Sequence, residues 1–160
     1  MNNRSPQGEA LAKLILPVLE LNSELMKTTR YITAQEGLTP SEWQVLEATL
    51  EEPLTVAEIS RRVGLGLAKP SVQRTARNLV AKGWAVYLEN PRHKTAQLLQ
   101  PTTLGREASK RILDNQIEWA NAVGDTIGEE ELKVMHQLIH HLTETARTYR
   151  PTAGLAKNKK

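Results

Sequence analysis

The sequence predicts a mainly helical fold carrying one small β-hairpin. Three observations predict it. Apolar residues recur at three- and four-residue steps over most of the chain, the spacing that gathers them on one face of a helix. Between Trp84 and Gln100 that period gives way to two short apolar runs joined by Asn90-Pro91-Arg92-His93-Lys94-Thr95, the pattern of a hairpin. The basic side chains are also concentrated. Residues 55–95 hold eight basic and two acidic groups, a net +6, while residues 1–54 stand at −4 and residues 96–150 at −2.

The elements follow in order. Residues 8–36 read as a long helix, with Leu11, Leu14, Val18, Leu21, Leu25, Thr29 and Ile32 as its stripe and Pro17 as an expected kink or the start of a second segment. Gly37 ends it. Thr39 or Ser41 caps the next helix, whose buried line is Trp43, Leu46 and Leu50, and Pro53 breaks it. Thr55 caps a short helix, with Glu58 completing a capping box and Val56, Ile59 and Val63 as the apolar face. Gly64 and Gly66 mark a turn. A second short helix is expected at about 69–82, with Val72, Ala76, Leu79 and Val80 inward, Ser71, Gln73, Arg74, Arg77 and Asn78 outward, and Gly83 as its stop. Trp84–Glu89 and Ala96–Gln100 are the two strands. Thr102 or Thr103 caps a long helix to about residue 126, and Glu129-Glu130-Glu131 opens a last one with the stripe Leu132, Met135, Leu138, Ile139, Leu142, Ala146 and Tyr149.

The chain has 160 residues, 39% hydrophobic and 24% charged, enough regular apolar content for a core and too much for general disorder. The densest apolar stretch, Leu14 to Leu19, is short and interrupted by Pro17, so no membrane span is expected. The first residues lack the charged-then-apolar-then-small pattern of a secretory leader, and a cytoplasmic protein is expected. Without cysteine the chain has no disulfide, thiolate zinc site or thiol redox switch.

Two short helices joined by a glycine turn, followed by a basic hairpin, make a winged helix-turn-helix. In that arrangement the second helix lies in the major groove, where its outward polar groups read base edges, and the wing places cations over neighbouring backbone or minor groove. The candidate reading residues are Lys69, Ser71, Gln73, Arg74, Arg77 and Asn78, and those of the wing are Arg92, His93 and Lys94. Arg74 and Arg77 each offer a planar fork of donors to guanine or phosphate. Gln73 and Asn78 suit adenine, and Ser71, near the helix start, suits phosphate. Arg61 and Arg62 have two readings, phosphate contact and ion pairing within the protein.

The ordered set of segments resembles the MarR-type winged helix-turn-helix transcriptional regulators. Leu38 to Leu46 is similar to the start of that family's second helix, and Thr55 to Leu65 to the first helix of its reading unit. Ser71 to Thr75, followed by Leu79 to Gly83, resembles the recognition helix; Asn90-Pro91, Leu98 and Thr102 to Gly105 resemble the wing and its return. Two departures stand out. The turn from Gly64 to Lys69 is longer than the family's usual one. Where the family's wing commonly has an acidic residue and, two positions later, an arginine, this chain has His93 and Thr95, so the arginine's role falls on Arg92 or Lys94 or is lost.

The resemblance implies a homodimeric repressor of a pseudo-palindromic double-stranded DNA site, relieved by a small, often aromatic molecule, with no enzymatic activity and no cofactor. Domain limits are expected at 1–37 and 105–150 for the dimerisation helices, 38–104 for the DNA-binding domain and 151–160 for a disordered basic tail. The family's effector pockets lie between reading unit and assembly helices, which makes Met26, Tyr31, Trp43 and Trp119 candidate lining, with core or dimer packing as the alternative for each. His136 and His140 stand one turn apart, but zinc needs three or four converging ligands and no metal is expected. No serine–histidine–acid set and no phosphate-cradling glycine loop supports an enzyme. Two other readings are open: a protein-interaction adaptor that has lost DNA binding, and a metal-responsive regulator.

Overall fold

The computed structural model describes residues 4–63, 69–93 and 95–149. They form α1 (Pro6–Ala34), α2 (Pro40–Ala48), β1 (Leu54–Thr55), α3 (Val56–Val63), α4 (Lys69–Ala81), β2 (Ala85–Leu88), β3 (Leu98–Pro101), α5 (Thr103–Ile127) and α6 (Glu129–Thr148). The turn expected at Gly64–Ala68, Lys94 and the tail from Arg150 lie outside the described residues. The molecule divides into two compact units, one running to Gln116 and one from Ile117.

In the first unit the helix boundaries follow local chemistry. Ser5 caps α1 by accepting from the Gly8 amide, and Pro6 occupies its first turn. The helix runs through Pro17 as one element, so no second segment begins there. Of the two candidate caps for α2, Thr39 takes the role. Its hydroxyl accepts from the Glu42 amide at 3.2 Å, while the Glu42 carboxylate accepts from the Thr39 amide at 2.9 Å. Leu50, expected on the buried line of this helix, lies past its end and is half-buried. Thr55 and Glu58 repeat the reciprocal arrangement at the start of α3, at 3.3 and 2.8 Å. Gly83, with φ +77, turns the chain out of α4 through a left-handed conformation that side chains disfavour.

The sheet contains a strand the periodicity missed. β1 is two residues long and pairs antiparallel with β3, Leu54 opposite Leu99, and β3 pairs on its other side with β2, Tyr87 opposite Leu99 and Leu88 opposite Leu98. The order is therefore β1-β3-β2. Strand alternation buries Leu99 and Ala85. The helices supply most of the rest of the core, including Val45 and Leu46 from α2, Ile59 from α3, Val72, Ala76 and Leu79 from α4, and Ala108 and Ile112 from α5, and Leu38 and Leu54 join the same cluster. Trp43 and Trp84 are half-buried against it, as is Tyr87.

Three arginine contacts brace the loops around this core. Arg62 donates to the Ala48 carbonyl at 2.8 Å and to Glu52 at 2.9 Å. Arg106 on α5 donates to the Leu50 carbonyl at 2.7 Å. Arg111 forks onto Glu36 beyond the end of α1, with donors at 2.8 to 3.0 Å.

In the second unit, α6 follows the end of α5 after Gly128, and its stripe residues Met135, Leu138 and Ile139 are exposed in the single chain. The α1 stripe of the first unit is likewise uncovered, with Leu11, Leu14, Val18, Leu21 and Leu25 all exposed.

Candidate nucleic-acid interface

The candidate reading helix is α4. Its buried face is Val72, Thr75, Ala76 and Leu79, spaced at three and four residues and anchored in the core. What faces outward is therefore fixed by helical geometry. Lys69, Arg74, Arg77 and Asn78 are exposed, and Ser71 and Gln73 are half-buried. Lys69, Gln73 and Arg77 succeed one another at four-residue steps and form one edge of the outer surface. Arg74 and Asn78, also four apart, form the other, with Ser71 beside them.

The end of α4 is tied down. Lys82 Nζ donates to Glu42 Oε1 at 2.7 Å, joining the residue after α4 to the first turn of α2. Burial alone would push the Glu42 carboxyl up. Lys82 and the Thr39 amide and hydroxyl outweigh it and hold the group below its ordinary value. At the start of α3 the Thr55 hydroxyl and amide do the same for Glu58, with Arg61 and Arg92 adding attraction.

The wing is β2, β3 and the segment between them. The Asn90 side chain accepts from the Arg92 amide at 3.0 Å and its carbonyl accepts from the His93 amide at 3.1 Å, an Asx-type turn. Thr95 Oγ1 lies 3.2 Å from His93 Nδ1, so the two residues that replace the family's acid and arginine pair with each other. Arg92 and His93 are exposed at the tip; Lys94 lies outside the described residues.

Between α4 and the wing runs a cleft of about 400 Å³, lined by Thr55, Val56 and Ala57 at the start of α3, by Lys69, Gln73 and Arg77 of α4, and by Tyr87, Thr95, Ala96 and Gln97 of the wing. No pattern in the sequence marks Tyr87, Thr95 or Gln97 as neighbours of the reading residues. They come from strands and a loop whose approach to α4 depends on the sheet. Arg62 pairs within the protein, with the Ala48 carbonyl and Glu52, as the second of its two readings expects.

Sequence relationships lead to the same fold. The sequence model of the MarR family matches residues 36–94. An uncharacterized protein of Mycobacterium tuberculosis is 31% identical over 144 residues, spanning 90% of this chain and 99% of the relative. The chain belongs to the MarR family. Its fold agrees with solved MarR structures. A crystal structure of a MarR family transcription regulator matches with a TM-score of 0.81 at 16% identity, over 89% of this chain and 93% of that one. Staphylococcus aureus MarR in complex with salicylate and kanamycin matches with a TM-score of 0.73 at 18% identity, over 88% and 95%. The winged helix-turn-helix expected from the sequence is the fold of this MarR protein, and the family's members are transcription regulators, typically homodimeric repressors.

The candidate ligand residues fall in both units. Tyr31 and Met26 are exposed on α1 and Trp43 is half-buried against the core, while Trp119 is exposed in the second unit. None of them lines the helix–wing cleft or the larger one, about 610 Å³, between α2 and the end of α3. His136 and His140 have ring centroids 6.5 Å apart, and among the described residues no group of three or more metal-ligating side chains gathers. Among the described residues, too, no helix is long and apolar enough to cross a membrane.

Proposed function

We propose that this MarR-family chain is a cytoplasmic, homodimeric, sequence-specific repressor that binds a pseudo-palindromic site in double-stranded DNA. The observation that carries the reading is the outer surface of α4. Its buried face is fully used by the core, and every outward side chain from Lys69 to Asn78 apart from Pro70 is a cation or a neutral hydrogen-bonding group. Such a surface suits the major groove, where donors and acceptors on base edges carry sequence information and phosphates attract cations. The uncovered apolar stripe on α1 supports a dimer, because contiguous exposed apolar residues on a long helix call for a partner surface. A two-fold then presents two recognition helices to two half-sites.

In this reading a small aromatic acid relieves binding, supported by the fold's likeness to the salicylate-bound Staphylococcus aureus MarR. The test is selection of bound duplexes from a random pool, followed by titration of the recovered complex with salicylate. A recurring two-fold site and salicylate-dependent release are the expected results. Recovery of no preferred sequence would remove the DNA-binding reading and leave the adaptor alternative.

A further inference from the structure

We infer that the cleft between α4 and the wing seats one backbone phosphodiester of each half-site, with Lys69, Gln73 and Arg77 as the helix side of the seat and Tyr87 as an uncharged contact at its floor. The inference rests on the DNA-binding reading and divides α4 by role. Lys69, Gln73 and Arg77 hold the backbone, and Arg74 and Asn78 read bases.

The first argument is geometric. A helix in a major groove and a wing over the adjoining minor groove have one sugar–phosphate strand between them, because that strand is the boundary of the two grooves. The surface between helix and wing must therefore be crossed by a backbone. In this chain that surface is a cleft, and its charge suits the occupant. Lys69 and Arg77 are cations, Thr95 and Gln97 bring neutral donors from the wing, and no acidic side chain is among the described residues lining it. Glu58, three residues beyond Thr55, is turned into its capping box with Thr55.

The second argument is chemical. The Tyr87 hydroxyl is buried and has no hydrogen-bond partner among the described residues. Buried polar groups are almost always paired, so a hydroxyl left alone marks either strain or a missing partner. Burial also pushes its ionisation up, against the pull of the nearby Arg77 cation, so it is a neutral donor at working pH. A non-bridging phosphate oxygen arriving in the cleft is an acceptor that such a donor can serve. The same four-residue spacing that puts Lys69, Gln73 and Arg77 on the cleft edge turns Arg74 and Asn78 away from it. Gln73, suited to adenine by residue type alone, is by position a backbone contact.

The experiment uses the full-length protein on the duplex recovered by selection. Tyr87→Phe is expected to weaken binding about tenfold per half-site, the worth of one hydrogen bond to a charged group in each, by the same factor on preferred and single-base-changed duplexes. Arg77→Met is expected to weaken all duplexes alike and to reduce the salt slope by about one per half-site. A duplex series with one neutral methylphosphonate at successive backbone positions should reveal one position per half-site where the parent loses affinity and Arg77→Met loses no more. Arg74→Ala, in contrast, should change base preference. The inference is overturned if Arg77→Met alters base preference, or if Tyr87→Phe and Arg77→Met bind like a parent that still discriminates sequences. A parent that selects no sequence defeats the DNA-binding reading itself, which is a different result from either.

Discussion

Lys82 Nζ lies 2.7 Å from Glu42 Oε1, and this contact spans forty residues of sequence to tie the end of α4 to the first turn of α2. Glu42 is only 4% exposed at its side chain, while Lys82 is 47% exposed. The pair is thus a buried carboxylate served by a half-exposed cation. Removing the cation leaves the acid in a dry site with its capping bonds alone. Lys82→Met is expected to cost about 1–3 kcal/mol of stability at neutral pH, measured by urea unfolding. Because the contact fixes where α4 ends, the same variant should also weaken DNA binding at temperatures where it is fully folded.

The pH dependence follows from the same carboxylate. Its ordinary value is 4.5 and its native value is lowered, so the unfolded chain takes up the proton first as pH falls. The stability contributed by Glu42 is therefore fully present above pH 4.5 and is lost as pH drops through the native value. Urea midpoints recorded from about pH 6 downward should fall with acid in the parent and fall less steeply in Glu42→Gln. Equal slopes in the two proteins would show that other carboxylates, Glu58 among them, carry the acid response.

Arg74 is the residue that most clearly separates recognition from attraction. It is exposed on the edge of α4 turned away from the helix–wing cleft. Arg74→Ala should cost about 1–3 kcal/mol per half-site and relax the preference at one base position in each. Arg92→Ala at the wing tip should instead lower affinity for all sequences and flatten the salt dependence by about one unit per lost contact. A table of affinities against sequence and salt distinguishes the two effects.

Gly105 is required by a close approach between α5 and the residue that leads into the wing. A Cβ at this position would lie 2.2 Å from the Trp84 carbonyl oxygen, a backbone atom that also accepts from the Thr102 amide. Alanine is otherwise the better helix former by roughly 1 kcal/mol. Gly105→Ala should nonetheless destabilise by about 1–3 kcal/mol, because the overlap is with backbone and can be relieved only by shifting α5 or the strand. A stabilised variant in thermal unfolding would contradict this packing.

Dimer formation is open to a direct test. The parent is expected to sediment at twice 17.9 kDa. Leu14→Glu with Val18→Glu, one turn apart on the uncovered α1 stripe, should shift it toward monomer and weaken operator binding at low protein concentration. Unchanged sedimentation would place the interface elsewhere.

Much of this architecture is legible in the sequence because it is set locally. Capping boxes at Thr39–Glu42 and Thr55–Glu58 act over three residues, and the apolar spacing of Val72, Ala76 and Leu79 fixes which side of α4 is buried before any partner is known. The change of period after Gly83 marks the wing for the same reason, since alternation is a property of the strand itself. The family resemblance draws on these local signals in their order.

The remaining features depend on approach between distant segments. β1 is too short to show a period, and it exists because Leu54 and Thr55 find β3 across more than forty residues. The commitment of Arg62 to Ala48 and Glu52, the burial of Glu42 against Lys82, and the presence of Tyr87, Thr95 and Gln97 beside Arg77 all arise between elements. Residue type and spacing determine which side of a helix faces outward. They do not determine what stands opposite it, because that is fixed by the packing of the sheet against α4. Family, helices and the outward face of α4 can therefore be read from the chain alone, while the helix–wing cleft and the Tyr87 hydroxyl, unpartnered among the described residues, belong to the folded molecule.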